Sequence, residues 1–180
     1  MKKLTLILLL LTSTIYSEII NGHTLPPEPD PKINNATLLG IDSNNNGVRD
    51  DVERWIYKTY KDKHPIHIDI AMQAARAYKK VLETPERAKE IHDEVSAPMY
   101  CMFYYMYDAE DFNDPLLIKK SIFTKHFIHA ILFNTKERES AFEQYDTLLS
   151  GDSYTLTKAE EEKSKCDFNT SKYDQYNETL

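Results

Sequence analysis

The sequence has few glycines and few cysteines for its length: four glycines and two cysteines in 180 residues. It contains no Gly-rich phosphate-binding loop, no Gly-x-Ser-x-Gly nucleophile elbow and no paired-cysteine zinc motif. Reactions that depend on one of these local motifs are therefore excluded, and the sequence predicts no catalytic residues.

Basic residues are too few to attract a polyanion. Lys and Arg total 22 against 29 Asp and Glu, a net charge of −7. Without residues 1–17 the chain loses two lysines and no acid, which leaves 22 − 2 = 20 basic and 29 acidic residues and a net charge of −9. We therefore expect neither nucleic acid nor an anionic membrane surface as a partner.

Long apolar runs are also lacking, except for one at the N-terminus. Lys2 and Lys3 precede the apolar residues 4–11, and Ser17 is small enough for a cleavage site. This pattern is typical of a secretory signal peptide, and the run is too short to span a bilayer. We predict a signal peptide over 1–17, export to the periplasm or the medium, and no membrane span in the mature chain. An uncleaved anchor is the alternative.

The two cysteines are Cys101 and Cys166. In an exported protein such a pair indicates a disulfide, which here would attach the C-terminal part of the chain to the core. Two unrelated thiols are the alternative.

Helical periodicity predominates after residue 39. Residues 18–39 contain four prolines and are predicted as an extended leader, whereas 40–168 should form a helical domain and 169–180 a polar tail. The first helix is expected over residues 50–61. With no alternating strand pattern, the sequence predicts a compact all-α domain of about five to seven helices.

Prolines and capping residues suggest several helix boundaries. A helix starting after Thr84 should end or kink near Pro98, because proline supplies no amide to the helical ladder. Asp114-Pro115 should start a long apolar helix, and Asn134 with Glu137 resembles a capping pair for the next one.

The stretch "GIDSNNNGVRDDVERW" carries the strongest site signal. Its spacing matches D-x-[DN]-x-[DN]-G-x₅-E without a gap. The expected side-chain ligands of a metal ion are Asp42, Asn44, Asn46, Asp50 and Glu53, and Val48 would offer its backbone carbonyl. A calcium ion needs six to eight oxygens at about 2.3–2.6 Å, so alternating side chains must converge, and Gly47 permits the turn.

This stretch resembles the calcium loops of EF-hands, and still more the loops of thrombospondin type 3 repeats and dockerins. The resemblance covers 42–53 only and implies a calcium site. Arg49 stands where such loops usually have an apolar residue, and two ligand places are Asn, so we expect weak affinity, about 10⁻⁴–10⁻³ M. The alternative is a polar turn in which Asp50 and Glu53 cap the following helix.

Other polar clusters carry weaker signals. His126 and His129 are expected to be packed or surface histidines, and Met99, Met102 and Met106 core residues rather than ligands of Cu(I). Asn169 lies in a weak bacterial-type glycosylation sequon.

Taken together, these features favour an exported, non-enzymatic helical protein with a structural calcium loop, which acts by binding an unknown protein or envelope partner. The alternative is a cell-envelope hydrolase whose site is assembled from residues distant in sequence.

Overall fold

The computed structural model describes residues 18–108 and 118–174 of the chain, which are mostly helical. A hairpin of β1 (Ile19–Ile20) and β2 (His23–Thr24) comes first. The α-helices are α1 (Pro31–Asn34), α2 (Asp50–Tyr60), α3 (Ile66–Glu83), α4 (Ala88–Phe103), α5 (Lys136–Leu149), α6 (Ala159–Glu162) and α7 (Ser171–Asp174). The predicted all-α class is confirmed, and none of the helices described here has the length and apolar character needed to cross a membrane.

Helix α3 forms the centre of the core. Ile66, Ile70, Ala74 and Val81 on this helix are fully buried. The helix contacts α2, α4 and α5, and its alanines let those neighbours approach closely. The first predicted helix is confirmed, since α2 starts at Asp50 and ends one residue short of the expected end.

Pro98 does not end its helix. A single 3₁₀ turn, Pro85–Arg87, leads into α4, which runs through Pro98 and then continues as a π-helical turn, Tyr104–Asp108. Proline removes one ladder bond, but Val95 and Cys101 on either side are both buried. Tertiary packing therefore maintains the helix across the proline.

The segment before α5 differs from the expectation of one long helix. Its predicted start at Asp114-Pro115 lies outside the described residues. Residues 118–124 are irregular although Ile122 is buried, and a π-helical segment occupies His126–Leu132. Helix α5 is capped by Thr135, whose hydroxyl accepts a hydrogen bond from the amide of Arg138, so the predicted capping pair of Asn134 and Glu137 is wrong.

A disulfide joins Cys101 in α4 to Cys166, which confirms the predicted pairing. The chain next to Cys166 is also held to α3, because Gln73 Nε2 donates to the carbonyl of Lys165 over 2.6 Å. The polar tail predicted from residue 169 is partly packed: Tyr173 in α7 is buried, and its hydroxyl donates to Asp69.

The leader, residues 18–39, contains the β1–β2 hairpin and α1 besides its extended stretches. Arg54 in α2 holds its first half. The guanidinium pairs with Glu18 at 2.7 Å and Glu28 at 2.5 Å, and also donates to the carbonyl of Pro26. These contacts place the hairpin beside the first turn of α2.

Arg138 in α5 holds the second half of the leader. Its fully buried guanidinium donates to the carbonyls of Asn34, Thr37 and Leu38 at 2.7–3.0 Å and to the side chain of Asn35. Burial, with a further contribution from the positive charge of Arg49, lowers the pKa of Arg138 to about 10. The chain that enters the 42–53 loop is thereby fixed to the core.

Candidate metal centre

The 42–53 loop connects the leader to α2 and includes the first turn of that helix. The amide of Asp50 donates to the carbonyl of Ile41 over 2.7 Å, which closes the loop. Asp50, Asp51 and Glu53 all lie in the first helical turn, where the helix dipole favours negative charge.

Asp42 organises the turn in the first half of the loop. Its Oδ1 accepts a hydrogen bond from the amide of Asn46 at 3.1 Å, and its Oδ2 accepts one from the amide of Gly47 at 2.9 Å. Gly47 has φ +85°, and Asn45 before it has φ +55°. The sharp turn predicted at Gly47 is therefore present, in a backbone region that other residues rarely adopt.

Glu53 lies beside the side chains of Asn44 and Asn46. Its carboxylate is completely buried, and Oε2 accepts hydrogen bonds from Nδ2 of Asn44 at 3.1 Å and of Asn46 at 2.7 Å. Its other oxygen, Oε1, lies 2.6 Å from Nε2 of His23. Within the described parts of the chain, no lysine or arginine forms an ion pair with Glu53.

Asp50 is also buried, beside the other two loop carboxylates. Its Oδ1 accepts a hydrogen bond from the amide of Ser43 at 2.9 Å. Burial raises the pKa of Asp50, and the negative charges of Asp42 and Glu53 add to this effect, while hydrogen bonds from Ser43 oppose it. The carboxylates of Asp42 and Glu53 therefore disfavour the charged form of Asp50.

Arg49 does not neutralise this cluster. Its Nε pairs with Asp51 Oδ1 at 2.5 Å, and its terminal nitrogens donate to the carbonyls of Ile131 and Leu132 at 2.7 and 3.1 Å. It also donates to the side chain of Asn134. The unusual arginine in the loop thus links Asp51 to the end of the 126–132 segment, and its ion pair does not involve Asp42, Asp50 or Glu53.

The geometry differs from that of a simple capped turn. Helix α2 has Arg49 at its N-cap position without a side-chain cap, and Asp50 is already the first helical residue. The side chain of Glu53 bonds to His23, Asn44 and Asn46, so it does not form the reciprocal bond of a capping box. The side chains of Asp50 and Glu53 instead face the loop.

His23 is a residue of this site that the sequence analysis missed. It stacks on Tyr57 of α2, with ring centroids 4.2 Å apart and planes inclined by 14°. The Asn21-Gly22 pair before it is a hairpin signal and could have predicted the turn. No local pattern relates His23 to Glu53, which lies 30 residues further along the chain.

The predicted ligands lie close to one another, but their oxygen atoms are not arranged around a common point. Among the residues described, no three or more His, Cys, Asp and Glu side chains form a group that could hold a metal ion. The amide nitrogens of Asn44 and Asn46 point at Glu53, and Val48 is buried in the core with its amide bonded to Asn46 Oδ1. To coordinate a metal ion bound by Glu53, both asparagine side chains must rotate so that their Oδ1 atoms face the ion.

The other candidate residues are engaged elsewhere. His129 Nδ1 lies 2.7 Å from Glu139, and the ring of His126 lies against Trp55. Met102 is buried, and its sulfur lies 3.4 Å from the amide of Ile122. These positions agree with the packed and surface roles expected for them.

In comparisons with known proteins, no family model, no curated protein and no solved structure matches this chain.

Proposed function

We propose that this protein is an exported, non-enzymatic helical binding module and that its 42–53 loop binds one calcium ion as a structural staple. The observation that carries the proposal is the fully buried carboxylate of Glu53, which is paired with His23 and, in the described residues, with no lysine or arginine. A buried carboxylate is costly unless it is paired or bound to a metal. A divalent cation would compensate Glu53 and relieve the repulsion that Asp42 and Glu53 exert on Asp50.

The chemistry of the donors suits calcium. The predicted side-chain ligands of the loop would all bind through carboxylate or amide oxygens, which hard cations prefer. Rotating the amides of Asn44 and Asn46 replaces two N–H donors near Glu53 by two oxygen acceptors. Their Oδ1 atoms now accept only local amides of the loop, over 3.2 and 2.9 Å.

The structural role follows from what the loop connects. The irregular part of the loop contributes Asp42, α2 contributes Asp50 and Glu53, and His23 of the N-terminal hairpin bonds to Glu53. An ion bound by residues from these segments would fix the leader against the helical core. The disulfide is compatible with an oxidising compartment, where calcium is abundant enough for a weak site.

Calorimetric titration of the mature chain, residues 18–180, with calcium tests the proposal. We expect one site with a Kd of about 10⁻⁴–10⁻³ M and much weaker binding of magnesium, which demands stricter octahedral geometry. Glu53→Gln should abolish the binding. Glu90→Gln is the matched control, because Glu90 is an exposed acid paired with Arg87 far along the chain from the loop. Absence of calcium binding, or equal binding by both variants, would overturn the proposal.

A further inference from the structure

A cavity of about 270 Å³ lies between the 42–53 loop, α3 and the end of the 126–132 segment. Its deep wall is apolar and consists of core side chains, namely Val52, Leu82, Leu132 and Phe133. Gly40, just before the loop, and Asp42, Asn45 and Gly47 of the loop form part of its rim. One wall of this cavity is therefore the same loop that carries the proposed calcium site.

The size of the cavity corresponds to a small organic molecule. A water molecule takes about 30 Å³ of liquid, so 270 Å³ corresponds to about nine waters. Ligand pockets typically measure about 300–1,000 Å³, which places this cavity at the small end. Ala75 on the α3 wall keeps the space open, because a larger side chain at this position would project into it. A single ring or a short acyl chain fits these dimensions.

The charges at the rim distinguish among such molecules. Lys79 lines the cavity and has one distant acidic partner, Glu83, at 3.9 Å. Arg49 brings a second positive charge, although Asp51 compensates it at 2.5 Å. The carboxylate of Asp42 accepts amide hydrogen bonds from its own loop. The lining therefore carries two positive side chains, Arg49 and Lys79, and one negative side chain, Asp42. Lys79 is the less compensated of the two cations, and this excess of positive charge favours an anionic group.

We propose that this cavity binds a small carboxylate whose apolar body, about the size of one aromatic ring, occupies the deep wall. Its carboxylate lies at the rim beside Lys79. The inference deepens the proposed binding function by naming a ligand class, but it does not depend on calcium being bound.

Three probes with the same ring and different charge test the proposal: phenylacetate, 2-phenylethanol and phenethylamine. Binding to the mature chain is followed by ligand-observed NMR and calorimetry, in calcium and in EDTA. We expect phenylacetate to bind best, the neutral alcohol more weakly and the amine least. The proposal is overturned if all three probes bind equally, if the amine binds most tightly, or if no probe binds at millimolar concentration.

Variants locate the binding. Ala75→Leu fills the cavity and should abolish binding of phenylacetate and of the alcohol. Leu39→Trp, at a rim position that is 41% exposed, should obstruct the entrance with little effect on folding. Lys79→Met should weaken the binding of phenylacetate about two- to fivefold, which is the effect expected for loss of a partly exposed ion pair. The affinity for the alcohol should not change.

Lys80→Met is the matched control, since Lys80 follows on the same helix but pairs with Glu94 outside the cavity. Loss of phenylacetate binding in Lys80→Met, or its retention in both Ala75→Leu and Leu39→Trp, contradicts the assignment. If phenylacetate binds as expected while calcium does not, the cavity proposal stands and the calcium proposal fails.

Discussion

The imidazole Nε2 of His23 lies 2.6 Å from Oε1 of Glu53, a completely buried carboxylate. The contact joins the N-terminal hairpin to the first turn of α2. It fixes one oxygen of Glu53 and leaves the other facing the asparagines of the loop. If the loop binds calcium, His23 orients the acid that supplies two of the oxygens.

His23→Phe should therefore weaken calcium binding without removing it. The phenyl ring retains the stacking on Tyr57 but cannot hydrogen-bond to Glu53. Loss of a residue that orients a metal ligand typically costs about 10–100-fold in affinity, and we expect the lower end here. Calorimetric titration of the variant with calcium measures the change. An unaltered Kd would show that His23 has no part in orienting Glu53.

Replacing Arg138 should lower stability more than most single substitutions do. Its buried guanidinium satisfies three carbonyls of the 34–38 segment, and Arg138→Met leaves them without a donor. We expect the free energy of unfolding to fall by about 3 kcal/mol, as for a lost set of buried charged hydrogen bonds.

Urea denaturation measures this loss, with Arg138→Lys as the comparison. Lysine keeps the charge but not the planar array of donors, so it should recover only part of the lost stability. A decrease below about 1 kcal/mol in Arg138→Met would mean that the leader is not held by this residue.

Breaking the disulfide should destabilise the protein and release the chain around Cys166. The bridge closes a loop with a sequence separation of 65 residues. In the chain-entropy description, such a cross-link contributes about 4 kcal/mol. Denaturation of Cys101→Ala/Cys166→Ala beside the oxidised protein measures the effect, and amide hydrogen exchange shows where it acts. Unchanged protection of residues 159–174 would contradict the expected release.

Stability should also depend on pH through His67. Burial lowers the pKa of His67 below its ordinary 6.5, and the charge of Lys63 lowers it further, while its hydrogen bond to the His64 carbonyl opposes the shift. Because the folded state disfavours the protonated ring, the unfolded chain takes up the proton first as the pH falls below 6.5. The contribution of His67 to the free energy of unfolding is therefore present in full above pH 6.5 and decreases below it.

His67→Phe should reduce this loss of stability on acidification. The comparison is the difference in unfolding free energy between pH 7.5 and pH 5.5, measured by urea denaturation in both proteins. Parallel pH profiles would show that His67 does not contribute to the acid sensitivity.

The sequence predicted the class of fold and the disulfide because both leave direct signals. Helical periodicity identified α2 and α3, and two cysteines allow only one intramolecular pairing. The sequence did not predict that α4 continues through Pro98, since packing of Val95 and Cys101 outweighs the local preference. Nor did it predict the packing of Tyr173, because isolated apolar residues in a polar tail give no periodic signal.

For the candidate site, the loop residues were identifiable because their spacing matches that of known calcium loops. The contacts that come from outside the loop were not identifiable. His23 and Arg138 are distant from the loop in sequence and act on or near it only in the folded chain. The cavity lined by Ala75 and Lys79 likewise exists only where α3 meets the loop.

Thermal melting of the oxidised chain of residues 18–180, in millimolar calcium and then in EDTA, tests the proposed calcium site most directly. We expect a higher melting temperature in calcium. A free calcium concentration ten times the Kd would stabilise the fold by about 1.4 kcal/mol. Glu53→Gln should melt at the same temperature in both solutions, whereas Glu90→Gln should keep the difference. Identical melting curves for the unmodified chain in calcium and in EDTA would contradict the proposed calcium site. The 42–53 loop would then be a turn held by its own hydrogen bonds.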